Sequence, residues 1–122
     1  MRLLIVDDSS VIRNRIAQLA RHPDLPALEV VGTARHGTEA LELAHKHRPE
    51  VVTMDLTMPN MDGVTCIKEL VKSFPDARIL VVSALGDRKT ALQAMTNGAH
   101  GFLHKPFTSD ELVEGLKELL RD

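Results

Sequence analysis

Tryptophan and tyrosine are absent from this chain of 122 residues, and aromatic residues make up only 2% of it. Surfaces that stack on nucleic-acid bases or on a flavin depend on such side chains, so neither is expected. The single cysteine, Cys66, excludes an intramolecular disulfide and fits a reducing compartment. We expect it to be a small core residue on a helix. A formal net charge of −2 gives no electrostatic reason to expect nucleic-acid or membrane binding.

Long apolar runs are also missing. The N-terminal run, residues 3–6, stops at Asp7, which is too soon for a signal peptide or a membrane span. With 43% hydrophobic and 26% charged residues, the composition is typical of a soluble domain large enough for a full core. We therefore expect one cytoplasmic domain over residues 1–122.

Short apolar runs and amphipathic segments alternate along the chain. The predicted strands are residues 3–6, 28–33, 51–54, 77–82 and 100–104. The predicted helices cover residues 10 to about 21, 37–48, 63–74, 87–97 and 109 to about 120, and Ala91, Leu92 and Met95 share the apolar face of the fourth. This alternation predicts a five-stranded parallel sheet with helices on both faces, an open doubly wound α/β fold. The strand order does not follow from the pattern.

The third predicted strand ends on a single acid, Asp55, and turn-forming residues follow it as far as Gly63. An acid at the end of a buried strand is costly unless it is paired. The carboxyl ends of parallel strands are also where ligands bind in such sheets. Asp55 therefore either opens a loop or lies at the centre of a site, and this segment alone leaves both open.

Polar residues follow the other predicted strands as well. Asp7 and Asp8 come after the first strand, Ser83 after the fourth and Lys105 after the fifth, so they share one sheet edge with Asp55. Each has an ordinary explanation alone, as a helix entry, a cap or a solvated loop. Together, three crowded carboxylates favour a hard cation such as Mg²⁺. A carboxylate can also attack phosphorus, while Lys105 clamps and Ser83 hydrogen-bonds the phosphoryl oxygens.

Four blocks carry a resemblance to a known family. Residues 3–9 (LLIVDDS), 54–63 (MDLTMPNMDG), 82–84 (VSA) and 105–107 (KPF) resemble the receiver domain of bacterial two-component response regulators, and the CheY-like chemotaxis group in particular. The resemblance covers essentially the whole chain. It implies the strand order 2-1-3-4-5 and Mg²⁺ as the cofactor, with Mn²⁺ as a substitute.

The same resemblance assigns roles around the metal. Asp55 would be the phosphoacceptor. Asp8 and Asp55 would bind Mg²⁺ directly, Asp7 would act through water, and the backbone carbonyl of Thr57 would be a further ligand. Thr57 and Leu85 would flank the phosphate entrance.

It also assigns a switch. Lys105 would clamp the phosphoryl group, Ser83 would supply the switch hydroxyl, and Phe102 would change rotamer when that hydroxyl moves. Threonine is frequent at the position of Ser83, and tyrosine occurs in some members at the position of Phe102. A serine lacks the methyl group that restricts the threonine rotamer, so the switch is expected to be less rigid.

The implied function is a phosphorylation-dependent signalling switch with no external substrate. The donor would be a sensor histidine kinase or a histidine phosphotransfer protein. A downstream protein, or a second copy in a phosphorylation-dependent homodimer, would meet the face formed by the fourth helix, fifth strand and fifth helix. The chain would be a stand-alone CheY-like regulator or a receiver excised from a longer protein with a DNA-binding or enzymatic output.

Two other classes remain as alternatives. A flavodoxin-type electron carrier would share the fold, but Asp7 and Asp8 would repel its phosphate. A haloacid-dehalogenase-like phosphatase would share the aspartyl phosphate, but it expects a second Asp where this chain has Thr57.

Overall fold

The structure is a computed structural model that describes residues 1–58, 60–84 and 88–121. Within them, five strands and five helices alternate. The strands are β1 (Arg2–Val6), β2 (Glu29–Ala34), β3 (Val51–Met54), β4 (Arg78–Ala84) and β5 (Gly101–Lys105). The helices are α1 (Ser10–Leu19), α2 (Gly37–His47), α3 (Gly63–Ser73), α4 (Arg88–Thr96) and α5 (Ser109–Leu119).

The strands form one parallel sheet in the order β2-β1-β3-β4-β5, which confirms the predicted fold and strand order. All four residues of β3 are buried, as its apolar, β-branched sequence predicts for a central strand. Val6 of β1 lies opposite Met54 of β3, and the Asp55 N–H donates to the Val6 carbonyl at 2.9 Å. This register brings the ends of β1 and β3 side by side.

Helices cover both faces of the sheet, with a separate apolar cluster under each layer. One cluster joins the sheet to α2, α3 and α4 through residues such as Ala40, Ile67 and Ala94. The other joins it to α1 and α5 through residues such as Ile16 and Leu116. This alternation of buried faces is the one that βαβ crossovers impose on a doubly wound sheet.

Side-chain caps fix where four helices begin. Ser9, His36 and Asp62 each accept a backbone N–H at the start of α1, α2 and α3. Thr108 and Glu111 form a reciprocal capping box at the start of α5, as their spacing predicts. These caps lie at the carboxyl edge of the sheet, so they also fix the loops that carry the polar residues.

Helix α4 differs most from the prediction. Its start was expected at residue 87, but residues 85–87, including Leu85, lie outside the described residues. The predicted apolar face was wrong, because Leu92 is 67% and Met95 39% exposed while Ala94 is fully buried. The α4 layer is held against α3 by a small residue that a search for large apolar side chains overlooks. Helix α1 also ends earlier than expected, at Leu19.

Gly98 follows α4 with φ +118° and ends it, as predicted for a helix stop. Among the described residues, none of the helices has the length and apolar character needed to cross a membrane.

Candidate functional site

The predicted polar residues meet at the carboxyl edge of the sheet. Asp7 directly follows β1, Asp55 directly follows β3, Ser83 is the penultimate residue of β4 and Lys105 ends β5. Asp7, Asp55 and Ser83 are buried, whereas Asp8 is exposed. Polar side chains buried at a sheet edge need partners in the protein or a ligand.

Three carboxylates form the centre of this group. Asp7, Asp8 and Asp55 each bring one ligand atom to within 4.8 Å of the other two. Oxygen donors that carry this much negative charge suit a hard divalent cation, and Mg²⁺ in proteins is commonly held by one or two carboxylates with water. The donor set therefore fits the Mg²⁺ that the resemblance implies.

The backbone and the carboxylate of Asp7 both have partners. Its N–H donates to the Ala34 carbonyl at 3.0 Å, and its own carbonyl accepts from Arg13 Nη1 at 2.7 Å. Its Oδ1 accepts from the Ser9 N–H at 2.9 Å. Its Oδ2 lies 2.7 Å from Lys105 Nζ in an ion pair. Both carboxylate oxygens of Asp7 thus have a protein partner close by.

Asp8 is different. In the described part of the chain, no hydrogen bond or ion pair reaches its exposed carboxylate. It therefore offers the open oxygen of the cluster.

Lys105 supplies the positive charge of the site. Its side chain is 19% exposed, and Nζ lies 3.7 Å from Asp55 Oδ2 as well as 2.7 Å from Asp7 Oδ2. One ammonium thus faces two buried acids, and it makes its shorter contact with Asp7.

Burial and the neighbouring charges shift the pKa of Asp55. Burial, reinforced by the charges of Asp7 and Asp8, raises the pKa of its carboxyl to about 6. Lys105 and a hydrogen bond from the Thr57 N–H oppose this rise. A bound cation would lower this pKa and further favour the ionised, nucleophilic carboxylate of Asp55.

The loop after Asp55 is packed closely against it. The Thr57 N–H donates to Asp55 Oδ1 at 3.3 Å, and the Gly63 N–H donates to the Leu56 carbonyl at 3.1 Å. A Cβ on Gly63 would collide with the Asp55 carbonyl oxygen, so the start of α3 fits here only because this residue is glycine. The sequence motif around Gly63 thus sets the backbone that surrounds the acid.

Ser83, Thr57 and Phe102 line the same open cleft, which has a volume of about 550 Å³ and extends to α4. The Phe102 ring is half-buried, and its centroid lies 4.6 Å from that of His104. The structure thus brings Ser83 and Phe102 to the same cleft.

Sequence reasoning missed two contacts of the site. The Ser9 N–H and the Arg13 guanidinium both bind Asp7. Ser9 lies in the first block of the resemblance, but no contact with Asp7 was expected from it. Arg13 lies in a helix, where a charged residue ordinarily signals only a solvated face.

Comparisons with known proteins identify the family of this chain. The family model for the response regulator receiver domain matches residues 3–117. The chain belongs to this family. Receiver domains are signalling modules of two-component systems rather than enzymes that act on external substrates, and the flavodoxin and phosphatase alternatives are set aside.

Some relatives have about the length of this chain, and others are much longer. The chemotaxis protein CheY of Bacillus subtilis is 39% identical over 119 residues, which cover 98% of this chain and 97% of that protein. The protein-glutamate methylesterase/protein-glutamine glutaminase 2 of Photobacterium profundum is 43% identical over 109 residues, which cover 88% of this chain but 27% of that protein. Similar receiver domains thus occur alone and within longer chains.

A solved structure gives the same fold. The CheX-CheY-BeF3-Mg+2 complex from Borrelia burgdorferi contains a chain with a TM-score of 0.91 and 28% identity to this one, with 100% of this chain and 90% of that chain covered.

Proposed function

We propose that Asp55 accepts a phosphoryl group from the phosphohistidine of a sensor histidine kinase or a histidine phosphotransfer protein. The observation that carries this proposal is the position of Asp55, a buried acid with a raised pKa between two other acids and a lysine. An oxygen of Asp55 forms a bond to phosphorus while the nitrogen–phosphorus bond breaks, and the electron pair of that bond stays with the imidazole.

Asp8, Asp55 and the Thr57 carbonyl would hold Mg²⁺, or Mn²⁺ in its place, and Asp7 would contribute through water. The engaged oxygens of Asp7 and the open carboxylate of Asp8 support this division of roles. When bound, the cation neutralises the crowded acids and stabilises charge on the phosphoryl oxygens.

Lys105 would exchange its contact with Asp7 for one with a phosphoryl oxygen, and Ser83 would donate a hydrogen bond to another. The 3.7 Å between Lys105 Nζ and Asp55 Oδ2 supports the first step, since a phosphoryl group on Asp55 would reach toward the ammonium. The cleft that Ser83 shares with Phe102 supports a coupled change of the Phe102 rotamer. This change would shift a pre-existing equilibrium of the surface formed by α4, β5 and α5.

That surface would bind a downstream protein or a second phosphorylated copy. We propose that residues 1–122 form one cytoplasmic receiver domain that acts as a stand-alone regulator. The near-complete match to CheY supports the stand-alone form. A receiver within a longer regulator is the second form of the proposal, and the partial coverage of the methylesterase supports it.

Acetyl phosphate, Mg²⁺ and intact-protein mass spectrometry test the proposal. The wild-type chain should gain one phosphoryl group, and Asp55→Asn should gain none. Chelation of the metal should abolish labelling, and Asp8→Ala should reduce it about 10-fold or more. An unmodified wild-type protein, or equal labelling of Asp55→Asn, would refute the proposal.

A further inference from the structure

The Asp7–Lys105 ion pair joins two strands that are not neighbours in the sheet. Asp7 follows β1 and Lys105 ends β5, while β3 and β4 lie between them. Hydrogen bonds of the sheet therefore do not connect the two residues directly. Their 2.7 Å contact lies where β1 and β5 end and the loops after them begin.

Helix α1 holds the first of these loops through Arg13. Its Nη1 donates to the Asp7 carbonyl at 2.7 Å, and the guanidinium is half-buried. This carbonyl belongs to the peptide that links Asp7 to Asp8, so the bond fixes the backbone from which both acids project. A charged donor at this distance makes one of the stronger hydrogen bonds found in proteins.

The same helix holds the second loop through Arg15. Its Cζ lies 4.7 Å from the centroid of the Phe107 ring, within the range of a cation–π contact. Phe107 is buried, only 4% exposed, and lies two residues after Lys105. The contact therefore holds the segment between β5 and α5 against α1.

The spacing of the two arginines explains how one helix reaches both loops. Residues two positions apart on an α-helix project about 200° apart around its axis. Arg13 and Arg15 therefore point to different neighbours, and each holds the backbone on one side of the ion pair.

We propose that Arg13 and Arg15 are positioning residues for phosphoryl transfer, Arg13 for the two acids and Arg15 for the lysine. This inference rests on the proposed function, since it concerns the same site. Neither arginine touches the reacting atoms. Loss of Arg13 weakens cation binding, whereas loss of Arg15 weakens the grip of Lys105 on the phosphoryl donor.

The test separates the two effects in the full chain. Mn²⁺ affinity is measured by electron paramagnetic resonance of the free ion, and phosphorylation by acetyl phosphate is measured at saturating Mg²⁺. Arg13→Gln should raise the Kd for Mn²⁺ about 10-fold while leaving the KM for acetyl phosphate within twofold of wild type. Arg15→Met should raise the KM for acetyl phosphate about 10-fold while leaving the Kd for Mn²⁺ within twofold of wild type. Arg15→Lys should bring this KM most of the way back to wild type, because a cation again lies over the Phe107 ring.

Arg21→Gln is the matched control, because Arg21 is an exposed arginine just beyond the end of α1. It should change neither constant. Circular dichroism identifies folded variants, and Arg13→Lys replaces Arg13→Gln if the latter does not fold, with the same direction of effect expected. A folded Arg13 variant with wild-type Mn²⁺ affinity, or a folded Arg15→Met with wild-type KM, overturns the inference. A wild-type protein that binds Mn²⁺ but takes no phosphoryl group would instead refute the proposed function.

Discussion

Lys105 lies closer to Asp7 than to Asp55: its Nζ is 2.7 Å from Asp7 Oδ2 and 3.7 Å from Asp55 Oδ2. The ammonium therefore neutralises the acid that is proposed not to react. In the proposed mechanism, a phosphoryl group on Asp55 would draw the same ammonium toward it, and Asp7 would then rely on the cation for its neutralisation. The ion pair keeps the ammonium within 3.7 Å of Asp55 Oδ2.

Removing this lysine should destabilise the fold. Lys105→Met leaves Asp7 buried without its positive partner, so the free energy of unfolding at pH 8 should fall by about 3 kcal/mol. Urea denaturation followed by circular dichroism measures the change. The double variant with Asp7→Asn should recover much of the loss, because the uncompensated charge is gone. Lys117→Met, which removes an exposed pair with Glu114, is the control and should cost less than about 0.5 kcal/mol.

Replacing Asp55 should stabilise the fold in a pH-dependent way. The pKa of Asp55 is about 6 in the folded protein against an ordinary 3.8, so the folded state binds this proton more tightly than the unfolded chain. Its contribution to stability is present below about pH 4 and is lost as the pH rises through about 6. In metal-free buffer, Asp55→Asn should therefore be more stable than wild type by about 2 kcal/mol at pH 8 and by almost nothing at pH 4.

Urea titrations at several pH values measure this difference. Added Mg²⁺ should stabilise the wild-type protein and close the gap at pH 8, since it binds the ionised acid. A difference that stays constant with pH would contradict the assigned cause.

Substitution by alanine should have opposite effects on the stability of the fold at two glycines, Gly63 and Gly115. A Cβ on Gly63 meets the Asp55 backbone, so Gly63→Ala should cost about 2 kcal/mol or more and weaken Mn²⁺ binding. Gly115 lies inside α5, where a Cβ would come no closer than 3.6 Å to Leu80 Cδ2. Gly115→Ala should therefore stabilise the protein by about 0.5–1 kcal/mol. Equal effects at both positions would show that the close approach at Gly63 does not constrain the loop.

The cysteine should be inert in the folded protein. Burial, with smaller effects from Asp62 and Glu69, raises the pKa of the Cys66 thiol to about 12. Because the thiolate is the reactive form, alkylation by iodoacetamide at pH 8 should be roughly 1,000-fold or more slower than for a free cysteine. Mass spectrometry of native and urea-unfolded protein measures this. Rapid labelling of the native protein would show that α3 opens frequently.

The sequence predicts the residues of the site better than it predicts the contacts that position them. Asp55 and Lys105 could be placed because each ends a strand, and parallel strands bring such residues to one edge whatever lies between them. The capping box of α5 is equally local, since Thr108 and Glu111 are three residues apart.

Other features depend on distant parts of the chain. The contact of Arg15 with Phe107 joins α1 to the loop between β5 and α5, and it leaves no periodic signal in the sequence. The strand order needed a family resemblance, and the buried face of α4 was predicted wrongly because Ala94 is less apolar than Leu92. The role of Asp8 is a prediction that Asp8→Ala tests, and the roles of Thr57, Ser83 and Phe102 stay predictions.

The shallow anchoring of α4 has an energetic consequence. Of the nine described residues of α4, Ala94 alone is buried, while Thr90 and Ala91 are half-buried. Burial of the Ala94 methyl group contributes about 1 kcal/mol, whereas each new charge-assisted hydrogen bond to a phosphoryl group would contribute about 1.5–3 kcal/mol. In the proposed mechanism, one or two such bonds would therefore outweigh the burial of the Ala94 side chain, and a change in the position of α4 would leave most of the core unchanged.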